Sequence, residues 1–169
     1  MSVQGPITTA YCLRDLHLFT DIYDEPERTK VFLEKVTESE LAYRHWQSDM
    51  AGQPRVNPNS HKLYDDVGSM FSVPMWEEYV IPVYEQHFQG LTTGRRSAHI
   101  EDLRPEHLYL LEVMGLSDFD PGISHKLNPV ALSRECRVPF GWRMGGFHYD
   151  GLTLKEVEDW VYKAAADGA

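Results

Sequence analysis

The sequence has few of the features that mark secreted or membrane-spanning proteins. It contains two cysteines, Cys12 and Cys136, and they fit neither a CxxC motif nor a zinc-ribbon spacing. We interpret both as reduced thiols. The first residues have neither the charged flank nor the apolar run of a signal peptide. No apolar stretch approaches the roughly 20 residues that span a bilayer. These absences predict a cytoplasmic protein with no membrane segment.

Positive charge is also scarce. The chain carries 16 Lys and Arg residues against 26 Asp and Glu residues, which gives a formal net charge of −10 at pH 7. Binding to a phosphate backbone requires clustered Lys and Arg, and the sequence has no such cluster. This charge balance argues against a nucleic-acid partner, and we expect a small-molecule substrate instead.

What the chain does contain is typical of one globular domain. Its 169 residues are 42% hydrophobic and 25% charged, close to the average for folded proteins. The length allows a real core but is short of the roughly 250 residues of a closed (β/α)₈ barrel. We therefore treat residues 1–169 as a single domain.

Polar side chains follow several short segments that are expected to be strands. Strands that end in polar residues and alternate with helices are typical of a parallel sheet with a site along its carboxyl edge. The pattern predicts an α/β fold of about five βα units, either a doubly wound sheet or part of a barrel. No Gly-rich phosphate loop follows the first strand, which disfavours a dinucleotide-binding fold. The predicted strand ends lie at Gly5–Thr8, Lys62–Asp66, Arg96–Glu101, Ser117–Asp120 and Arg137–Gly141.

Helix signals divide the rest of the chain. Pro26 with its flanking acids starts a helix to about Trp46. Pro82 lies inside a helix that opens at Pro74 and should kink it. Gly115 is the expected C′ residue of a helix that starts near Pro105. A capping box at Thr153–Glu156 opens the last helix. Two apolar faces follow from spacing: a core face of Phe32, Val36, Tyr43 and Trp46, and a last-helix face of Leu154, Val157, Trp160, Val161 and Ala164.

His99 and Glu101 are the first candidate site residues. They lie two residues apart on a predicted strand, so their side chains point to the same side. Imidazole and carboxylate together make a zinc half-site, although a hydrogen-bonded His–Glu pair at a strand end is the alternative. Asp66 is a candidate metal ligand, orienter of His99 or general acid/base. It is equally interpretable as a helix cap. Asp65 alternates with Asp66 and is a candidate substrate-binding residue.

Three further residues lie near the same predicted edge. Asp120 precedes Pro-Gly and is either a turn residue or part of a substrate site. Arg143 and His148 flank a glycine-rich turn, and an arginine there can grip a carboxylate through two hydrogen bonds. A surface arginine is the simpler interpretation. We include these three as candidate substrate-binding residues.

The order of several motifs resembles the uroporphyrinogen decarboxylase superfamily. The similar segments run in order along nearly the whole chain, and they are Gly5–Thr8, Tyr23–Pro26, Asp65–Ser72, Glu78–Tyr84, Ala98–Glu101, Met114–Leu116 and Leu154–Trp160. The resemblance implies the later part of a (β/α)₈-type barrel. The family's first strands and its last strand have no counterpart here. A partial barrel of this kind implies a homodimer or a complementary half-barrel, because open sheet edges are unfavourable in a monomer.

The two chemistries of this superfamily place its functional residues differently. Its decarboxylases act on tetrapyrroles without a cofactor, and their catalytic tyrosine falls at or near Tyr11, while their serine position holds Asp66. Its corrinoid-linked methyltransferases bind zinc through His-x-Cys, where this chain has His99 and Glu101. The resemblance therefore implies a metal-dependent methyltransferase-like protein with zinc and a corrinoid carried on a partner protein. The alternatives are a cofactor-free decarboxylase and a non-catalytic remnant.

Overall fold

The computed structural model describes residues 4–146 and 150–168, and its centre is a parallel three-stranded sheet. The strands are β1 (Ser60–Tyr64), β2 (Arg95–His99) and β3 (Leu116–Asp120), in that order. Because the strands are parallel and in sequential order, each connection is a crossover that carries helices. The predicted α/β fold of a partial (β/α)₈-type barrel is confirmed.

One backbone position continues the sheet on each side. On one side the Gly5 N–H donates to the Tyr64 carbonyl at 2.6 Å. On the other, Phe140 bridges to Phe119 through two bonds, from the Phe119 N–H to the Pro139 carbonyl at 2.8 Å and from the Gly141 N–H to the Phe119 carbonyl at 3.0 Å. The chain thus has five positions across the sheet, although only the central three are strands. The strand predicted over Arg137–Gly141 is wrong, because this segment is reduced to one bridge at Phe140. Pro139 lies within it and has no N–H to donate to a neighbour.

Helices precede, connect and follow these strands along the chain. Within the described residues, short 3₁₀ segments occupy Asp66–Met70 and Pro105–His107, and a π segment occupies Trp76–Val80. The α-helices are α1 (Pro6–Arg14), α2 (His17–Asp24), α3 (Pro26–Met50), α4 (Val73–Met75), α5 (Ile81–Leu91), α6 (Leu108–Val113), α7 (Pro129–Glu135) and α8 (Leu154–Ala166).

At Pro82, where the sequence predicts a kink, the structure shows a change of helix type. The Ile81 N–H reaches back to the Trp76 carbonyl, so the turn before the proline is widened to an i→i−5 bond. The proline ring would otherwise meet the carbonyl of residue 78. The regular helix α5 then starts at Ile81.

The core lies between one face of the sheet and the helices. Leu63, Ala98 and Phe119 supply one fully buried residue from each strand. Trp76, Tyr84, Phe88 and Phe71 are the largest buried side chains facing them, all with 0% exposure. None of the described helices is long and apolar enough to cross a membrane.

The predicted core face of α3 needs correction at its C-terminal half. Tyr43 is 44% exposed and Trp46 is 56% exposed, and their rings stack on each other at 5.7 Å. Val36 is buried as predicted. The buried residues of this helix are Thr29, Leu33, Val36, Thr37 and Glu40. The polar ones among them, Thr29, Thr37 and Glu40, are not identified by hydropathy.

Two predicted helix ends are confirmed. Gly115 has φ +65°, a left-handed conformation that favours glycine, directly after α6. Thr153 and Glu156 form the reciprocal hydrogen bonds of a capping box at the start of α8. The apolar face of α8 is only partly covered, since Leu154 remains 77% exposed.

Candidate functional site

Three neighbouring residues at the carboxyl ends of the strands form the base of the candidate site. Tyr64, His99 and Asp120 pair with one another across β1, β2 and β3. Side chains alternate along a strand, and the residue before each of these three is buried against the helices. Tyr64, His99 and Asp120 therefore lie on the opposite face, which corresponds to the inside of a barrel.

His99 lies in the middle of this row and is surrounded by carboxylates. Its Nε2 atom is 3.6 Å from Asp66 Oδ1 and 3.6 Å from Glu101 Oε1. Its Nδ1 atom is 3.1 Å from Asp120 Oδ2. The Asp120 contact is close but lies off the direction of a hydrogen bond, so Nδ1 has no aligned partner. The imidazole side chain is 11% exposed.

Asp66 connects the ends of the first two strands. It is the first residue of the 3₁₀ segment that follows β1. Its Oδ1 atom accepts a hydrogen bond from the Glu101 N–H at 3.1 Å, and the side chain is 48% exposed. This bond fixes Asp66 beside the end of β2, where its carboxylate faces His99 rather than capping a helix. No side-chain cap bond is present at this 3₁₀ segment.

Asp120 is held by donors from three directions. Lys62 Nζ lies 3.0 Å from Oδ2, and the Gly122 N–H donates to Oδ1 at 3.0 Å. Burial raises the pKa of Asp120, but the hydrogen bonds from Lys62 and Gly122 and the nearby charges of His99 and Lys62 oppose it, and the pKa is lowered overall. The carboxylate is therefore ionised near neutral pH. Arg143 Nε lies farther away, at 3.7 Å from Oδ1.

Arg143 reaches the same group of residues from the loop after Phe140. Its Nη2 atom is 3.5 Å from Glu101 Oε1, and its side chain is 54% exposed. Gly122 brings the loop after β3 against Glu101, since a β-carbon at this position would collide with that side chain. The structure thus brings together five of the predicted site residues, which are Asp66, His99, Glu101, Asp120 and Arg143.

Asp65 lies outside this group. It has no exposed surface and accepts hydrogen bonds from the Ile7 N–H (2.8 Å), the Thr8 N–H (2.7 Å) and the Thr8 hydroxyl (2.6 Å). Burial raises its pKa to about 7, although all three donors favour the charged form. This corrects the prediction that Asp65 binds substrate, because an enclosed carboxylate with three internal donors does not face the site.

Two other predicted residues do not join the group in the described structure. The Tyr11 ring packs on Phe19 with a centroid distance of 5.9 Å, where α1 meets α2. Its predicted catalytic role stays a prediction. His148 lies outside the described residues.

Lys62 is a member of the site that the sequence analysis missed. It lies two residues before Tyr64 on β1, so the strand alternation places it on the inner face. Its ammonium group lies 5.3 Å from the centroid of the Tyr64 ring as well as next to Asp120. The period of two along β1 indicates this position, whereas the pattern of polar residues at strand ends does not include it.

The side chains around His99 meet part of the requirement for a metal site. A neutral imidazole and carboxylates are suitable ligands for zinc. Across residues 4–146 and 150–168, no group of three or more His, Cys, Asp or Glu side chains is arranged to hold a metal ion. That His99 and Glu101 form a zinc half-site therefore stays a prediction.

Comparisons with known proteins support the fold. No protein-family model matches the sequence, and no curated protein matches it. Among solved structures, the chain is similar to a methyltransferase from Methanosarcina mazei, with a TM-score of 0.60 and 14% sequence identity. The match covers 80% of this chain and 40% of that chain, so this chain spans less than half of the neighbour's length. At this identity the likeness shows a shared fold and nothing more specific.

Proposed function

We propose that the chain is the site-bearing part of a methyltransferase-like barrel of the uroporphyrinogen decarboxylase superfamily, in which His99 and Glu101 hold a zinc ion. The observation that carries the proposal is the position of His99 Nε2, 3.6 Å from the Glu101 carboxylate at the carboxyl edge of the sheet. Active sites of (β/α)₈ barrels lie at this edge. The methyltransferase fold of the structural neighbour supports the same branch.

The residues of the site have distinct roles under this proposal. Zinc, when bound, favours the deprotonated form of a thiol acceptor, which then takes a methyl group from its donor as the new S–C bond forms and the donor–methyl bond breaks. His99 and Glu101 supply the two ligands. Asp66 takes up the proton that the thiol releases, since its carboxylate is exposed beside His99 Nε2. Arg143 binds a negative group of the substrate.

The charge balance of the site favours methyl transfer over decarboxylation. Three carboxylates, those of Asp66, Glu101 and Asp120, surround His99. A tetrapyrrole with several carboxylates would be repelled by them, and Lys62 and Arg143 offset only part of that charge. A zinc ion would neutralise the excess. Cofactor-free decarboxylation is therefore the second candidate.

The resemblance also suggests the partners. In a methyltransferase of this type the methyl group arrives on a corrinoid carried by a partner protein, and we include such a protein among the proposed partners. Further βα units, from a second copy or from a complementary half-barrel, would complete the sheet on the two sides that continue by only one backbone position each.

Zinc titration of the metal-free protein by calorimetry tests the proposal. We expect one zinc ion per chain in the wild type, loss of binding in His99→Ala, and roughly tenfold or greater weakening in Glu101→Gln, since substitution of even an outer-shell partner of a metal ligand typically costs about 10–100-fold in affinity. His17→Ala is the matched control, because His17 is exposed on α2. Zinc binding that persists unchanged in His99→Ala would contradict the proposal, as would a wild type that binds no zinc.

A further inference from the structure

The second layer of the site contains a lysine whose position matters for His99. Lys62 and Tyr64 are on the same face of β1, and Lys62 belongs to the row below Tyr64, where it pairs with Ser97. Its side chain extends towards the carboxyl ends of the strands and places Nζ 3.0 Å from Asp120 Oδ2. The ammonium lies 5.3 Å from the Tyr64 ring centroid, and that ring lies 5.8 Å from the His99 ring.

Asp120 Oδ2 is shared between Lys62 and His99. The same oxygen is 3.0 Å from Lys62 Nζ and 3.1 Å from His99 Nδ1. The other oxygen, Oδ1, is occupied by the Gly122 N–H. The carboxylate is therefore fixed at both ends, with the oxygen nearest Lys62 facing Nδ1.

A fixed carboxylate beside Nδ1 selects the tautomer of His99. Although this contact is not an aligned hydrogen bond, an ionised carboxylate oxygen 3.1 Å from Nδ1 attracts an N–H there and repels a lone pair, so it favours the imidazole form that carries hydrogen on Nδ1. That form leaves the lone pair on Nε2, which faces Asp66 and Glu101 at 3.6 Å. Nε2 can act as a ligand or a base only in this form.

We propose that Lys62 is a positioning residue that acts through Asp120 to keep the Nε2 lone pair of His99 free. The inference rests on the proposed function for its purpose, since a free lone pair is what a metal ligand requires. The effect of Lys62 on the His99 tautomer is expected in the metal-free protein. Arg143 does not replace Lys62, because it is more exposed and its nearest atom is 3.7 Å from the other oxygen of Asp120.

The tautomer of His99 can be read directly by long-range ¹H–¹⁵N NMR on metal-free protein with labelled histidine, at an alkaline pH where imidazoles are neutral. We expect the wild type to have the hydrogen on Nδ1. In Lys62→Met we expect the ratio of the two tautomers to move roughly fivefold or more towards hydrogen on Nε2, as loss of one charge-assisted hydrogen bond implies. Lys62→Arg should retain the wild-type form.

Two outcomes would overturn the inference: His99 signals in Lys62→Met that match the wild type, or a wild type with the hydrogen already on Nε2. The pair of half-buried His61 and buried His87 provides an internal control, since its signals report an intact fold on the other face of the sheet. Zinc titration of the same samples separates the two proposals. A tautomer that depends on Lys62 in a protein that binds no zinc would support this inference while removing the proposed function.

Discussion

At the scale of single residues, histidines on the two faces of the sheet have opposite surroundings. His99 on the inner face lies among three carboxylates. His61, on the helix face of β1, lies beside another imidazole, with Nε2 atoms of His61 and His87 3.0 Å apart. Behind them, Glu40 Oε1 lies 3.5 Å from His87 Nδ1 and accepts from Arg44 Nε at 2.8 Å. His99 thus has carboxylate neighbours, whereas the nearest polar neighbour of His61 across the interface with α5 is a second imidazole.

The packing of His61 predicts acid sensitivity. Burial, together with the nearby charges of His87 and Arg44, lowers the pKa of His61 to about 3. The folded form then binds fewer protons than the unfolded chain, whose histidine titrates near 6.5, so this contribution to stability is present above pH 6.5 and is lost as the pH falls towards 3. Between pH 6.5 and 4.5 we expect a loss of about 1–2 kcal/mol after allowance for partial exposure.

Urea unfolding at a series of pH values measures this loss, and His61→Gln serves as the comparison. Asp65 acts in the opposite direction, because its raised pKa adds stability as the pH falls. The two proteins share Asp65, so the difference between their pH slopes isolates His61. We expect a shallower loss in His61→Gln, and equal slopes would contradict the assignment.

At the scale of helices and strands, the attachment of α1 depends on one buried carboxylate. Asp65 accepts from Ile7 and Thr8, and the Thr8 hydroxyl also accepts from the Val67 N–H at 3.2 Å. Gly5 approaches Asp65 so closely that a β-carbon there would lie 2.6 Å from Oδ2. The start of α1 and the end of β1 are therefore one hydrogen-bonded unit.

Separate substitutions of Asp65 and Asp66 distinguish the structural role of Asp65 from the role of Asp66 in the candidate site. Asp65→Asn places an amide N–H₂ against backbone donors, and we expect it to destabilise the fold by about 2–4 kcal/mol and to increase hydrogen exchange in α1. Asp66→Asn, at an exposed position, should cost less than about 1 kcal/mol of stability, while under the proposed function it removes the carboxylate that accepts the proton and slows methyl transfer. Equal losses of stability in the two variants would contradict the division of roles.

The sequence predicted those features that local rules determine. Helix starts, the capping box, the C′ glycine and the polar strand ends follow from short-range chemistry, and the structure contains them. Tyr43 and Trp46 have core spacing but are exposed, whereas His45 between them reaches the Gly90 carbonyl of α5 at 2.8 Å, and spacing alone does not show which side of α3 faces α5. Asp65 and Asp66 have the same chemistry, and only the packing of α1 decides which of them is enclosed. Lys62 was missed because its long side chain reaches one row beyond its own position.

At the scale of the whole molecule, the inner face of the sheet is the surface through which we expect the chain to associate. Within the described residues this face carries Tyr64 at 41% exposure, Lys62 and Asp120, and it has no helix layer of its own. On either side the sheet continues by only one backbone position, at Gly5 and at Phe140. Strands with so little pairing at their edges are prone to associate.

We therefore expect the purified chain to associate in solution through this face. Light scattering should give at least twice the mass of one chain, with a cooperative thermal melt on the same sample. Tyr64→Asp should weaken association, because it adds a negative charge to a face that already holds Asp120. Tyr23→Asp is the matched control, since Tyr23 is 72% exposed on α2, away from the sheet. A cooperative monomer at all concentrations would show that the sheet needs no further strands, and equal effects of the two substitutions would place the contact elsewhere.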